Sequence, residues 1–174
     1  MEHVVLPQTR VNSASLALPG QVHLEESAVH TPIRVLFLSD SNSVRSQMAE
    51  ALLRSLGGDR YESHSAGLDE PAPLHPLAVQ AMGEVGLDIS AQRSKHLNDY
   101  LDTQFDYVIT LCDRARVACP DFARDNETLH WHLDDPANAP GGDADKLAAF
   151  RRVRDELRAS LESWITSTRA SQTR

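Results

Sequence analysis

The sequence predicts an α/β domain: a four-stranded parallel sheet with helices on both faces, a three-layer sandwich. Two observations carry this. Short apolar runs of strand length alternate along the chain with segments of helical period, and parallel strands need such crossovers between them. The first strand, moreover, empties through a small polar loop straight into an amphipathic helix. With 174 residues, 41% hydrophobic and 24% charged, there is enough chain for one domain with a substantial core.

Residues 1 to 31 mix Ser, Pro, Gln, Val and Leu without a sustained period, so they are expected to be a mobile tail, with a docking arm as the alternative. Val35 to Leu38 is a branched, continuously apolar strand. Ser39 to Ser43 is turn and N-cap chemistry, and Val44, Met48, Leu52 and Leu53 then recur at helical spacing. Arg60 to His64 reads as the second strand, and Asp69 to Pro73 as loop. Ala78, Met82 and Val85 mark a helix capped by Gly86. A short helix around Leu97 to Leu101 precedes the third strand, Phe105 to Leu111, and Leu129 to His132 is the fourth and weakest. From Asp143 a long amphipathic helix carries Leu147, Phe150, Val153, Leu157, Leu161 and Trp164 on one face. The domain is expected to span 32–168, leaving 169–174 as a tail.

Ligands of such a sheet belong at the carboxyl ends of the strands, where Ser39 to Arg45, Cys112 and Asp135 fall. Strand, small-residue loop and helix together suit an oxyanion. The first N–H groups of a helix lack intrahelical partners and sit at the positive end of its dipole. Arg45 adds a planar two-pronged donor. One short loop is a weak signal, and an ordinary strand-to-helix turn with a surface Arg remains the alternative. The formal net charge of −8 disfavours nucleic acid or an anionic membrane as partner. With two cysteines and no segment of membrane-span or signal-peptide character, the expected setting is the cytoplasm.

The segment SDSNSVRSQMAEALLR resembles the Cys-x5-Arg-Ser phosphate loop of the low-molecular-weight tyrosine phosphatases and of the thioredoxin-coupled arsenate reductases on that scaffold, whose usual wording is close to CTGNSxRSQMAE. Asn42, Ser43, Arg45, Ser46, Gln47, Met48, Ala49 and Glu50 match. Further likeness to the reductase branch runs from Pro32 to Thr168. It includes SAG at Ser65 to Gly67, RSKHL at Arg93 to Leu97, FDYVITLCDRARVACP at Phe105 to Pro120 and HWHLDDPANAPG at His130 to Gly141. The resemblance implies sheet order 2-1-3-4 and an oxyanion held by Ser39, Asp40, Ser41, Asn42, Ser43, Val44, Arg45 and Ser46. It implies no cofactor, with thioredoxin as electron donor, and arsenate, phosphate or sulfate as ligand.

Three loop positions depart from the family. Ser39 stands where the family has its nucleophilic Cys, Asp40 where it often has Thr, and Ser41 where it has Gly. A serine hydroxyl has no anionic population comparable to a thiolate and needs a strong adjacent base. Asp40 sets a negative charge beside a site for anions. Ser41 adds strain of order 1 kcal/mol if it must take positive φ. Either the chain is a reductase-type enzyme whose nucleophile has been replaced, or it is a non-catalytic domain that binds an oxyanion or a protein partner. Three changes together favour drift over a single introduced substitution.

By the same resemblance Cys112 and Cys119 are the relay that attacks the loop cysteine and resolves the disulfide, and Asp135 is the general acid. Seven helical residues span about 10.5 Å, beyond disulfide reach, so Asp113 to Ala118 would have to unwind. Two small buried thiols are the plainer alternative. Ser46 matches the hydroxyl that stabilises the thiolate, and Asn42 is suited to fix the loop because Asn tolerates left-handed backbone. Arg116 is expected in a surface ion pair, and Asp102 and Asp106 at the surface or a strand edge. His130 and His132 share a strand face, but without a Cys or carboxylate at ligand spacing no metal is assigned. A tyrosine phosphatase is disfavoured because paired aromatics are missing after Asp135-Pro136.

Overall fold

The computed structural model describes residues 31–119 and 126–172; nearly all of the expected N-terminal arm lies outside them. Four parallel strands, β1 (Ile33–Ser39), β2 (Tyr61–Gly67), β3 (Tyr107–Thr110) and β4 (Glu127–His130), form one sheet in the order β2-β1-β3-β4. The helices are α1 (Arg45–Gly57), α2 (Pro76–Gly83), α3 (Asp113–Ala118) and α4 (Asp143–Gln172), with single turns of 3-10 helix at Leu97–Tyr100 and Pro136–Asn138. The fold and strand order are those expected. α4 continues without a break through 169–172, past the domain end read from the sequence. Among the described residues no helix is long and apolar enough to cross a membrane.

Strand alternation divides the core between the two faces of the sheet. Val35 and Phe37 face the larger cluster, built with Met48 and Leu52 of α1, Ala78 and Met82 of α2, and Phe150, Val153, Leu157, Leu161 and Trp164 of α4. Leu36 and Leu38 face the smaller one, with Leu97, Phe105, Val108, Cys112 and Ala115. All four β1 residues are fully buried, which is why this strand was the plainest in the sequence.

β4 starts two residues earlier than expected, at Glu127, and its first two residues are exposed. It is an edge strand, so its apolar signal comes only from Leu129 and Trp131, and Trp131 lies past its end, donating its N–H to Thr110 O at 2.9 Å. β2 runs on to Gly67, three residues beyond the expected stop. Ser65, Ala66 and Gly67 are too small to look like a strand, yet all three are buried. α2 ends at Gly83, so Val85 lies outside it; Gly86 takes φ +78° in the turn that follows. Asp106 is a strand-edge residue, its Oδ2 accepting the Arg34 N–H at 2.7 Å.

Gly67 positions the site directly. A Cβ there would meet Asn42 N, Ser41 C and Asp40 O at 2.8–2.9 Å, all of them main-chain atoms of the β1–α1 loop. The next two amides, Leu68 and Asp69, both donate to Asp40 O, at 2.7 and 3.0 Å. Gly67→Ala is therefore expected to destabilise the domain by about 1–3 kcal/mol, since backbone cannot yield as a side-chain end can. Chemical denaturation measures it, and a change below the error of the midpoint would show that the loop moves aside freely.

Candidate functional site

The β1–α1 loop is held open by a polar frame. Asn42 takes φ +50° and is fully buried; among the described residues no other non-glycine has positive φ. Its Oδ1 accepts from Gln47 Nε2 (3.0 Å) and Lys95 N (2.8 Å), its Nδ2 donates to Ser46 Oγ (2.8 Å), and its carbonyl accepts from Ser94 Oγ (2.7 Å). Asn42 thus fixes the loop as its residue type suggested, by a network that reaches into 93–95. The left-handed position is Asn42 and not Ser41, so the strain expected at Ser41 does not arise. Ser41 Oγ instead pairs with Ser43 Oγ at 2.7 Å.

α1 begins without a side-chain cap. The capping residue is Val44, whereas the sequence suggested one of the Ser, Asp or Asn residues before it. Among the described residues the main-chain amides of Ser41, Asn42, Ser43 and Val44 donate to no protein acceptor. Orphan N–H groups at the positive end of a 13-residue helix are an arrangement that suits an anion. Arg45 is 6% exposed and turned inward, its Nη1 donating to Leu133 O at 2.9 Å.

The guanidinium does not wait alone. Nη2 donates to Asp40 Oδ2 at 2.8 Å and to Asp135 Oδ2 at 3.3 Å. Asp40 also lies 3.6 Å from Arg114 Nη1, and Arg114 grips Asp69 through both nitrogens at 2.9 and 2.6 Å. That grip holds the Asp69 carboxyl below the usual carboxylate range. Sequence reasoning singled out Arg116, expected in a surface ion pair. Among the described residues Arg116 makes no ion pair, and it is Arg114, two positions earlier, that joins the site. The helical spacing of Arg114 and Arg116 could have shown that only one of them faces the loop.

Ser39 is 2% exposed, and its hydroxyl meets Ser46 Oγ at 2.6 Å. Among the described residues that is its side chain's one hydrogen bond, so no His or carboxylate stands ready to take its proton. Asp135 is held by Arg45 and by the Ala137 N–H, which Oδ1 accepts at 3.0 Å. The frame is completed by Glu50, which the sequence matched but did not assign. Its buried carboxylate takes Ser65 Oγ and Lys95 Nζ, the latter at 3.3 Å. α1, β2 and 93–95 are thereby locked together.

No disulfide joins Cys112 to Cys119, and the intervening residues form α3 as expected. Pro120, expected to help end that helix, lies outside the described residues. Cys112 Sγ caps α3 by accepting the Ala115 N–H at 3.4 Å. Burial pushes the Cys112 thiol up; the nearby Asp40 charge adds to this, while the Ala115 N–H and Arg45 oppose it. In a Cys119→Ser background, alkylation of Cys112 by iodoacetamide is expected to be several-fold slower at pH 7 than for an unhindered thiol. Its rate should keep climbing above the pH where an ordinary cysteine levels off. A plateau at or below that pH would show an activated thiolate instead.

A parallel α/β sheet in this strand order, with an inward arginine after the loop of its first strand and an Asp-Pro turn opposite, defines a phosphatase-type domain. Residues 34–173 match the family of low-molecular-weight phosphotyrosine protein phosphatases, and the chain belongs to that family. Within it the chain is 43% identical over 130 residues to an arsenate reductase of Halalkalibacterium halodurans, covering 75% of this chain and 93% of the relative. It is 42% identical over 130 residues to that of Bacillus subtilis, with the same coverage. A solved arsenate reductase in its phosphate-binding state superposes with TM-score 0.66 at 33% identity, over 78% of this chain and 98% of that one. An arginine phosphatase of Geobacillus stearothermophilus, at 24% identity and TM-score 0.66, shares the fold.

Proposed function

We propose that this domain of the arsenate-reductase branch binds a tetrahedral oxyanion, arsenate, phosphate or sulfate, in the loop 39–46 and does not turn it over. The observation that carries this is the uncapped start of α1, whose preceding amides have no protein acceptor while the Arg45 fork is buried beside them. The Asn42 frame fixes the loop that carries those amides. Relatives named as arsenate reductases, one of them solved in a phosphate-binding state, support the class of ligand.

The absence of turnover follows from Ser39. Where the family has a thiolate, this hydroxyl is bonded to another hydroxyl and has no base to ionise it. The cysteine pair then has no partner to attack, and thioredoxin has nothing to reduce.

Calorimetric titration of phosphate and arsenate into the chain tests the binding. Saturable heats are expected, weakened at least about tenfold by Arg45→Lys, which keeps the charge but loses the two-pronged geometry. Equal affinity in both proteins would place the anion elsewhere. Thioredoxin-coupled arsenate reduction above background would overturn the non-catalytic half of the proposal.

A further inference from the structure

His130 ends β4 and His132 lies two residues past it, with their ring centroids 6.3 Å apart. The sequence offered them no third ligand. The fold brings one, because α3 starts just past the end of β3 and sets Asp113 opposite them. Asp113 Oδ1 lies 3.3 Å from His130 Nε2 and 3.6 Å from His132 Nδ1. The three residues offer one donor atom each, all within 4.8 Å of one another. A tetrahedral ion with bonds of about 2.0–2.1 Å keeps its donors about 3.3–3.4 Å apart, so the 3.3 Å edge to His130 already fits and the 3.6 Å edge to His132 needs only a small side-chain shift.

Thr110 orients one of the rings. Its buried Oγ1 lies 2.9 Å from His130 Nδ1 and 3.3 Å from Leu129 O, and with Nδ1 held there the other nitrogen, Nε2, faces Asp113 Oδ1. Metal-bound histidines are oriented in the same way, by a hydrogen-bond partner on the far nitrogen. On the other ring, Asp134 Oδ1 stands 3.9 Å from His132 Nε2.

We infer that Asp113, His130 and His132 form a binding site for a divalent transition-metal ion, with two imidazoles and one carboxylate suited to zinc and a fourth position open to water. The site is separate from the oxyanion loop and stands or falls without it. Occupied, it ties the first turn of α3 to the end of β4.

The full chain is titrated with Zn2+ against a chromophoric chelator, and with Co2+ read by its visible absorption. One ion per chain and the intense bands of four-coordinate Co2+ are expected. His132→Ala, at a side chain 64% exposed and so without cost to folding, should weaken Zn2+ binding at least about tenfold, as should Thr110→Val. Zinc should raise the melting temperature of the parent and not that of His132→Ala. Absence of binding, affinity unchanged in His132→Ala, or affinity lost in Cys112→Ser or Cys119→Ser instead would overturn the site.

Discussion

Asp40→Asn is expected to raise the affinity for phosphate at least tenfold. Asp40 is the chain's own carboxylate at the mouth of the proposed anion site, 2.8 Å from the Arg45 fork and 3.6 Å from Arg114. Two unit charges about 5 Å apart at an effective dielectric constant near 20 repel by about 3 kcal/mol. The Asp40 side chain is 28% exposed, and solvent and salt reduce that figure, so about 1.4 kcal/mol or more is a fair expectation. Asn keeps the shape and a carbonyl oxygen for Arg45, which separates charge from packing. Titrations at low and high ionic strength read the effect, and the gain should shrink as salt rises. An affinity that does not move would mean that phosphate never comes near Asp40, and with it the loop as ligand site would be lost.

The second large effect is gain of activity. Ser39→Cys combined with Asp40→Thr and Ser41→Gly restores the family loop on a frame that is already in place. Thioredoxin-coupled arsenate reduction is expected to rise roughly a hundredfold or more over the unaltered chain, the scale on which gaining or losing a nucleophile acts. Ser39→Cys alone should recover much less, because the Asp40 carboxylate stays beside the new thiolate and opposes its ionisation. Adding Cys112→Ser to the triple variant should remove reduction while leaving phosphate binding intact. Full activity from Ser39→Cys alone would show that Asp40 carries no cost. Failure of the triple variant, with phosphate still bound, would move the defect to the relay cysteines or to Asp135.

How much of this was legible beforehand depended on whether a feature is local. β1 and α1 could be read from consecutive residues because a buried strand is continuously apolar and an amphipathic helix repeats its apolar positions. β4 was misplaced by two residues because an edge strand exposes Glu127 and Thr128 and so lacks either pattern. The end of β2 was missed because Ser65, Ala66 and Gly67 are too small to carry a strand pattern, Gly67 lying directly against the loop backbone. Resemblance supplied the roles expected of Arg45, Asp135, Cys112 and Cys119. It could not say what Asp40 does, since the family often has Thr there.

By itself, then, the sequence determined the elements, the parallel α/β class, the position of the β1–α1 loop and the serine that stands at its start. Each of these is written in residues near one another along the chain. Tertiary structure alone decided that Arg45 spends its fork on Asp40 and Asp135, that Arg114 and not Arg116 joins them, and that Asp113 meets His130 and His132. Periodicity fixes which side of an element a residue occupies. Which sides then meet is set by strand order and by the crossovers that place α3 against β1 and β3, and no local pattern encodes that.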